Sequence, residues 1–129
     1  MNRADTGRAS ERRGLRAETL AVWALRLKGY RVIARRVRAP RGSGAGEIDL
    51  VVRRGNVLAF VEIKARPTHE AGLWAILPQQ QRRLMRAAEW FIKSHPGFGG
   101  CELRFDAVVV RPRRWPTHLA DAWRADPVM

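Results

Sequence analysis

The hydrophobic pattern of the chain changes its period several times. Ala17, Leu20, Ala24 and Leu27 recur at three- and four-residue steps, the spacing of one face of an α-helix. They predict a helix over residues 13–28, with Gly29 as its stop. Residues 30–38 follow as a strand with β-branched Val32, Ile33 and Val37, and residues 40–46 as a glycine-rich loop. Residues 47–53 and 57–65 predict a second and a third strand, because Gly55-Asn56 between them suits a tight hairpin turn. Residues 68–77 show no regular period. Pro78 suits the first turn of a second helix that runs to about Ser94 and presents Leu84, Ala88, Phe91 and Ile92 on one face. Residues 102–110 read as a fourth strand and 111–116 as a basic turn, while 118–123 read as a short helix or a docked tail.

The expected order is therefore αβββαβ. A helix between the third and fourth strands provides the long crossover that a parallel pair needs. The fold class is α/β, with a mixed sheet flanked by helices. Residues 13–129 are expected to form a single domain, and residues 1–12, small, polar and charged, a disordered basic arm.

Four charged residues disturb this pattern. The second strand reads Glu47-Ile48-Asp49-Leu50-Val51-Val52, and the third reads Leu58-Ala59-Phe60-Val61-Glu62-Ile63-Lys64. Both contain runs that are apolar on both faces, as in strands covered on two sides. An ionised carboxylate in such a strand is costly unless it is paired or bound to a metal. With Gly55 and Asn56 as the loop, Arg54 faces Val57, so Asp49 faces Glu62 and Glu47 faces Lys64. All four side chains then project from one face. Two opposed carboxylates suit a hard divalent ion such as Mg²⁺ or Mn²⁺, which takes one or two carboxylates, keeps waters and recruits a substrate phosphate. Lys64 would stand beside a reacting water as a positive orienter or as a general base. This chemistry cuts a phosphodiester. The simpler alternative is a solvated hairpin face carrying a Glu-Lys pair.

Composition changes the picture in one direction. Lys and Arg number 25 against 12 Asp and Glu, a formal net charge of +13. Such a surface attracts polyanions. Nucleic acid, DNA or RNA, is the expected partner. No membrane partner is expected, since Val57 to Val61, like every other apolar run in the sequence, is too short to span a bilayer. The single cysteine, Cys101, and a polar, Arg-rich beginning without a leader pattern predict a cytoplasmic location. Arg35, Arg36, Arg38 and Arg41 lead into the glycine-rich loop, and Arg66 follows the third strand. Arg82, Arg83 and Arg86 lie on the second helix, and Arg111, Arg113 and Arg114 follow the fourth strand. These arginines are candidates for phosphate contacts, with solvated surface charge as the alternative. Among the tryptophans, Trp23 and Trp90 are expected in the core, and Trp74 as the candidate for base stacking. One cysteine and three scattered histidines exclude a zinc site of Cys and His.

The stretch Gly46-Glu47-Ile48-Asp49-Leu50-Val51, followed by Phe60-Val61-Glu62-Ile63-Lys64-Ala65-Arg66, resembles the bacterial UPF0102 (YraN-like) family. That family is similar to the restriction-endonuclease-like PD-(D/E)xK superfamily and, within it, to archaeal Holliday-junction resolvases. Weaker likenesses lie at Gly14 to Glu18, Pro78 to Leu84, Arg104-Phe105-Asp106 and His118 to Trp123, so the resemblance spans roughly residues 13 to 123. It implies a restriction-endonuclease-like core and a metal-dependent endonuclease acting on DNA, branched or otherwise structured, with a homodimer by analogy. It implies Asp49, Glu62 and Lys64 as catalytic residues and Asp49, Glu62 and Glu18 as metal ligands. Glu47 and Gln81 would support them. From the sequence alone, Glu18 reads equally as a first-turn acid favoured by the helix dipole. Two positions depart from the generic pattern: Ile48 stands in place of the motif proline, and Gln80 where a basic residue is expected. A non-catalytic nucleic-acid-binding module of the same fold and a protein-interaction factor are the rival readings.

Overall fold

The computed structural model describes the backbone of residues 3–66 and 76–124, and the side chains of residues 14–66 and 76–124. Helix α1 (Arg3–Leu27) leads into strands β1 (Arg31–Arg38), β2 (Glu47–Arg54) and β3 (Val57–Ala65). Helix α2 (Pro78–Ser94) and a single 3-10 turn (Pro96–Phe98) follow, then strands β4 (Glu102–Val110) and β5 (Thr117–Trp123). The five strands form one sheet in sequence order. Only β3 and β4 run parallel, with α2 as the crossover between them; the other neighbours are antiparallel. The expected mixed α/β sheet with an αβββαβ order is present, with β5 added at its edge.

The two helices cover opposite faces. Ala17, Ala21, Val22 and Leu25 of α1 pack with Leu50, Val52, Ala59, Val61 and Val108. Leu84, Ala87, Ala88 and Phe91 of α2 pack with Val51, Leu58, Phe60 and Ala107. This two-sided cover is why β2, β3 and the end of β4 read as nearly continuous apolar runs rather than alternating ones. Phe91 alone is 1% exposed, and truncating such a residue to alanine costs about 3–5 kcal/mol.

The β2–β3 register runs from Arg54↔Val57 to Leu50↔Val61, which is the register that a Gly55-Asn56 loop predicts. Gly55 sits at φ +59, a left-handed conformation that costs glycine little.

Three expectations are corrected. Helix α1 begins at Arg3 rather than Arg13, so residues expected as a disordered arm are helical backbone from Arg3 onward. Their low hydrophobicity suggested disorder, but Ala, Arg and Glu favour helix and no proline interrupts them. Residues 117–123 form β5 rather than a helix or a docked tail. Ala120, Asp121 and Ala122 are poor strand formers, and pairing with β4 overrides that preference. Trp23, expected in the core, is 54% exposed, because α1 turns Val22 and Leu25 inward instead. Trp90 does pack against the core as expected. Trp74 and most of the irregular 68–77 segment lie outside the described residues.

Candidate functional site

Asp49, Glu62 and Lys64 meet at the end of the sheet where β2 begins and β3 ends. The backbone pairing between these strands runs to Leu50↔Val61. Beyond it, the Asp49 carboxylate takes over the role of a backbone acceptor: Ile63 donates its N–H to Asp49 Oδ2 at 2.7 Å. The expected Asp49–Glu62 meeting therefore occurs through side chains. The charge of Asp49 is felt by the Glu62 carboxyl and helps to raise it.

Glu62 and Lys64 are two residues apart on β3 and share the face covered by α2. Their side chains are only 12% and 14% exposed, and Lys64 Nζ lies 3.4 Å from Glu62 Oε1. Gln80, in the first turn of α2, closes a triangle: Lys64 Nζ donates to Gln80 Oε1 at 3.1 Å, and Gln80 Nε2 donates to Glu62 Oε1 at 2.9 Å. Pro78 starts this helix without an acidic residue in its first turn, so its positive dipole end carries no carboxylate of its own.

Burial dominates the electrostatics. It pushes the Glu62 carboxyl up to about 7, helped by the charge of Asp49 and opposed by Lys64. It also raises Asp49, against the Ile63 N–H that favours the ionised form. Both groups resist carrying their charges together without a cation, as two close carboxylates do.

The other expected site residues are placed differently. Glu47 does not form a rung with Lys64; it accepts from Arg38 Nε at 2.8 Å. Glu18 stands on α1, whose buried face packs on the opposite side of the sheet from α2. Its carboxylate is held by Arg36 at 3.0 Å, with Arg35 at 3.9 Å. Among the described residues, no group of three or more His, Cys, Asp or Glu side chains is placed to hold a metal, so Glu18 does not join Asp49 and Glu62. The two arginines of β1 are its partners instead. Gln81, expected as the supporting glutamine, donates instead to the Ile76 carbonyl at 2.8 Å, and Gln80 is the one that contacts Glu62 and Lys64.

Arg41 lies on the loop between β1 and β2. That loop is pinned to α2, where Gly46 donates its N–H to the Arg83 carbonyl at 3.0 Å. A side chain on Gly44 (φ +73) would meet the Arg86 guanidinium at 2.6 Å, so a glycine is needed there for both backbone and space. Arg83 and Arg86 thus sit against the glycine-rich loop, and Arg82 is exposed beside them. Arg66 donates its backbone N–H to the Val110 carbonyl at 2.9 Å, at the same sheet end as Lys64.

A second polar cluster was not foreseen. Asp106 is fully buried. It accepts two bonds from Arg104 at 2.8 Å each, one from His118 Nε2 at 2.8 Å and one from the Asp121 N–H at 2.9 Å. Burial alone would raise its pKa, but these donors outweigh it and hold the carboxyl near 2. Arg104 also reaches the Tyr30 hydroxyl, and Lys28 Nζ lies 3.1 Å from His118 Nδ1. The sequence signals were an acid inside an apolar strand, as for Asp49, and the family likeness at Arg104-Phe105-Asp106 and His118 to Trp123.

Comparison with known proteins decides the relationship. Residues 17–110 match the model of the uncharacterised protein family UPF0102. A UPF0102 protein of Parvibaculum lavamentivorans is 62% identical over 119 residues, covering 92% of this chain and 86% of that protein. The chain belongs to UPF0102. Other members are similarly close. A UPF0102 protein of Paramagnetospirillum magneticum is 48% identical over 129 residues (98% of this chain, all of the relative). One of Methylobacterium nodulans is 53% identical over 120 residues (93% of this chain, 90% of the relative). In this UPF0102 chain no helix among the described residues is long and apolar enough to cross a membrane.

Proposed function

We propose that this UPF0102 protein is a metal-dependent nuclease of the PD-(D/E)xK type that hydrolyses phosphodiesters in DNA. The observation that supports this most is the half-buried pair Asp49 and Glu62, both with raised pKa, beside Lys64 at a sheet end. Structural stability gives no reason to place two like charges there. The donor set fits Mg²⁺ or Mn²⁺, which accept one or two protein carboxylates and complete their shells with water and phosphate. Asp49 and Glu62 would hold the ion, which when bound makes water more acidic and offsets charge on phosphate.

The chain's own residues do the rest. Lys64, held by Gln80, lies 3.4 Å from Glu62 Oε1 and would orient the attacking water or the phosphate oxygen. Glu62 loses its proton when a cation takes its place. Arg41, Arg66, Arg82, Arg83 and Arg86 rim this end and are suited to backbone phosphates, consistent with the net charge of +13. The free, half-buried Cys101 is in keeping with a reducing cytoplasm.

A calorimetric Mn²⁺ titration tests the assignment. Wild type should bind and Asp49→Ala should not. Equal binding by the two proteins, or none by wild type, would remove the metal centre.

A further inference from the structure

We propose that Trp115 is a stacking platform for an unpaired nucleobase of the strand presented to the acidic centre. This deepens the nuclease reading and rests on it. Trp115 lies in the turn between β4 and β5 and is 58% exposed, while the following Pro116 is buried. The indole therefore stands outside the core on an anchored backbone.

Its position follows from the sheet. Lys64 pairs with Val109 on β4, and Val109 pairs with Thr117 on β5. Trp115 is two residues before Thr117. Two interstrand spacings and two residues of rise place its Cα roughly 12 Å from that of Lys64. The turn is at the same sheet end as Asp49 and Glu62. Trp23 is comparably exposed, but it lies near the C-terminal end of α1. There β1 begins beside Arg53 at the opposite end of the sheet.

The surroundings suit a nucleic-acid strand. Arg113 and Arg114 immediately precede Trp115, both exposed, and neither forms an ion pair with a carboxylate among the described residues. The turn is also well fixed. Arg114 donates its N–H to the Arg111 carbonyl at 3.4 Å, and β5 is tied to β4 by the bonds that His118 and Asp121 give Asp106. An exposed indole next to two cations offers a π-face to a base and charge to its phosphates. In a duplex the bases already stack on each other, so the platform selects unpaired ones.

Binding in metal-free buffer separates this role from cleavage. Fluorescence anisotropy would be read on labelled oligothymidylate, oligouridylate and a short DNA duplex, for wild type, Trp115→Ala and Trp115→Phe. Trp115→Ala should lose about 5- to 150-fold in affinity for the single strand, change little on the duplex, and be restored by Trp115→Phe. The two single strands distinguish DNA from RNA as the source of the base. Unchanged single-strand affinity in Trp115→Ala, or an equal loss on the duplex, overturns the platform and leaves the nuclease reading standing. Failure of wild type to bind any of the three overturns both.

Discussion

Glu62 is the residue at which charge, burial and function conflict most openly. Its carboxyl is moved from 4.5 to about 7 by burial, so in the unfolded chain it ionises first. Its contribution to stability is therefore present below about 4.5 and lost as pH rises through about 7. The metal-free protein should be less stable at pH 8 than at pH 5 on this account, and Glu62→Gln should recover roughly 1–3 kcal/mol at pH 8. Urea unfolding at both pH values checks this; a Glu62→Gln protein no more stable at pH 8 would show that the pair carries no such conflict. Asp49, Glu62 and Lys64 were legible as a site because each is a charge inside an otherwise apolar strand, and a two-residue hairpin turn sets their phase. Gln80 was not legible, because adjacent glutamines in a first helical turn look alike. Only the entry angle of α2 decides which one reaches β3. Glu18 shares an apolar face with Ala21, Val22 and Leu25, yet nothing in the sequence told that Arg35 and Arg36 of β1 would hold it.

At the scale of elements, β5 depends on one buried acid. Asp106 gathers Arg104, His118 and the Asp121 N–H, so removing its carboxylate leaves the Arg104 charge without that partner and loosens β5. Asp106→Ala should cost about 3–5 kcal/mol, and hydrogen exchange should show β5 amides losing protection before those of β2 and β3. Equal protection in β5 would contradict the tie. The central strands were readable from apolar runs, and α2 from its amphipathic spacing. The edge strand was not, because its own residues favour other states and a partner strand supplies the preference. The start of α1 failed for the opposite reason, since a polar segment with high helix propensity carries no apolar period to announce it.

For the whole molecule, the net charge of +13 would set how the protein meets the nucleic acid proposed as its substrate. With roughly five phosphate contacts, duplex affinity should fall about 10²- to 10³-fold between 50 and 200 mM salt, and Arg83→Ala should flatten that slope by about one contact. Affinity independent of salt would remove the arginine rim from the account. On the proposed nuclease reading the acidic centre turns such binding into a reaction, and cleavage tests it most directly. Labelled single-stranded, duplex and branched DNAs would be incubated with Mg²⁺ or Mn²⁺ and either wild type or Asp49→Ala. The account predicts metal-dependent cleavage of at least one substrate by wild type and none by the variant. Cleavage retained in Asp49→Ala, or absent from wild type on every substrate, would contradict it.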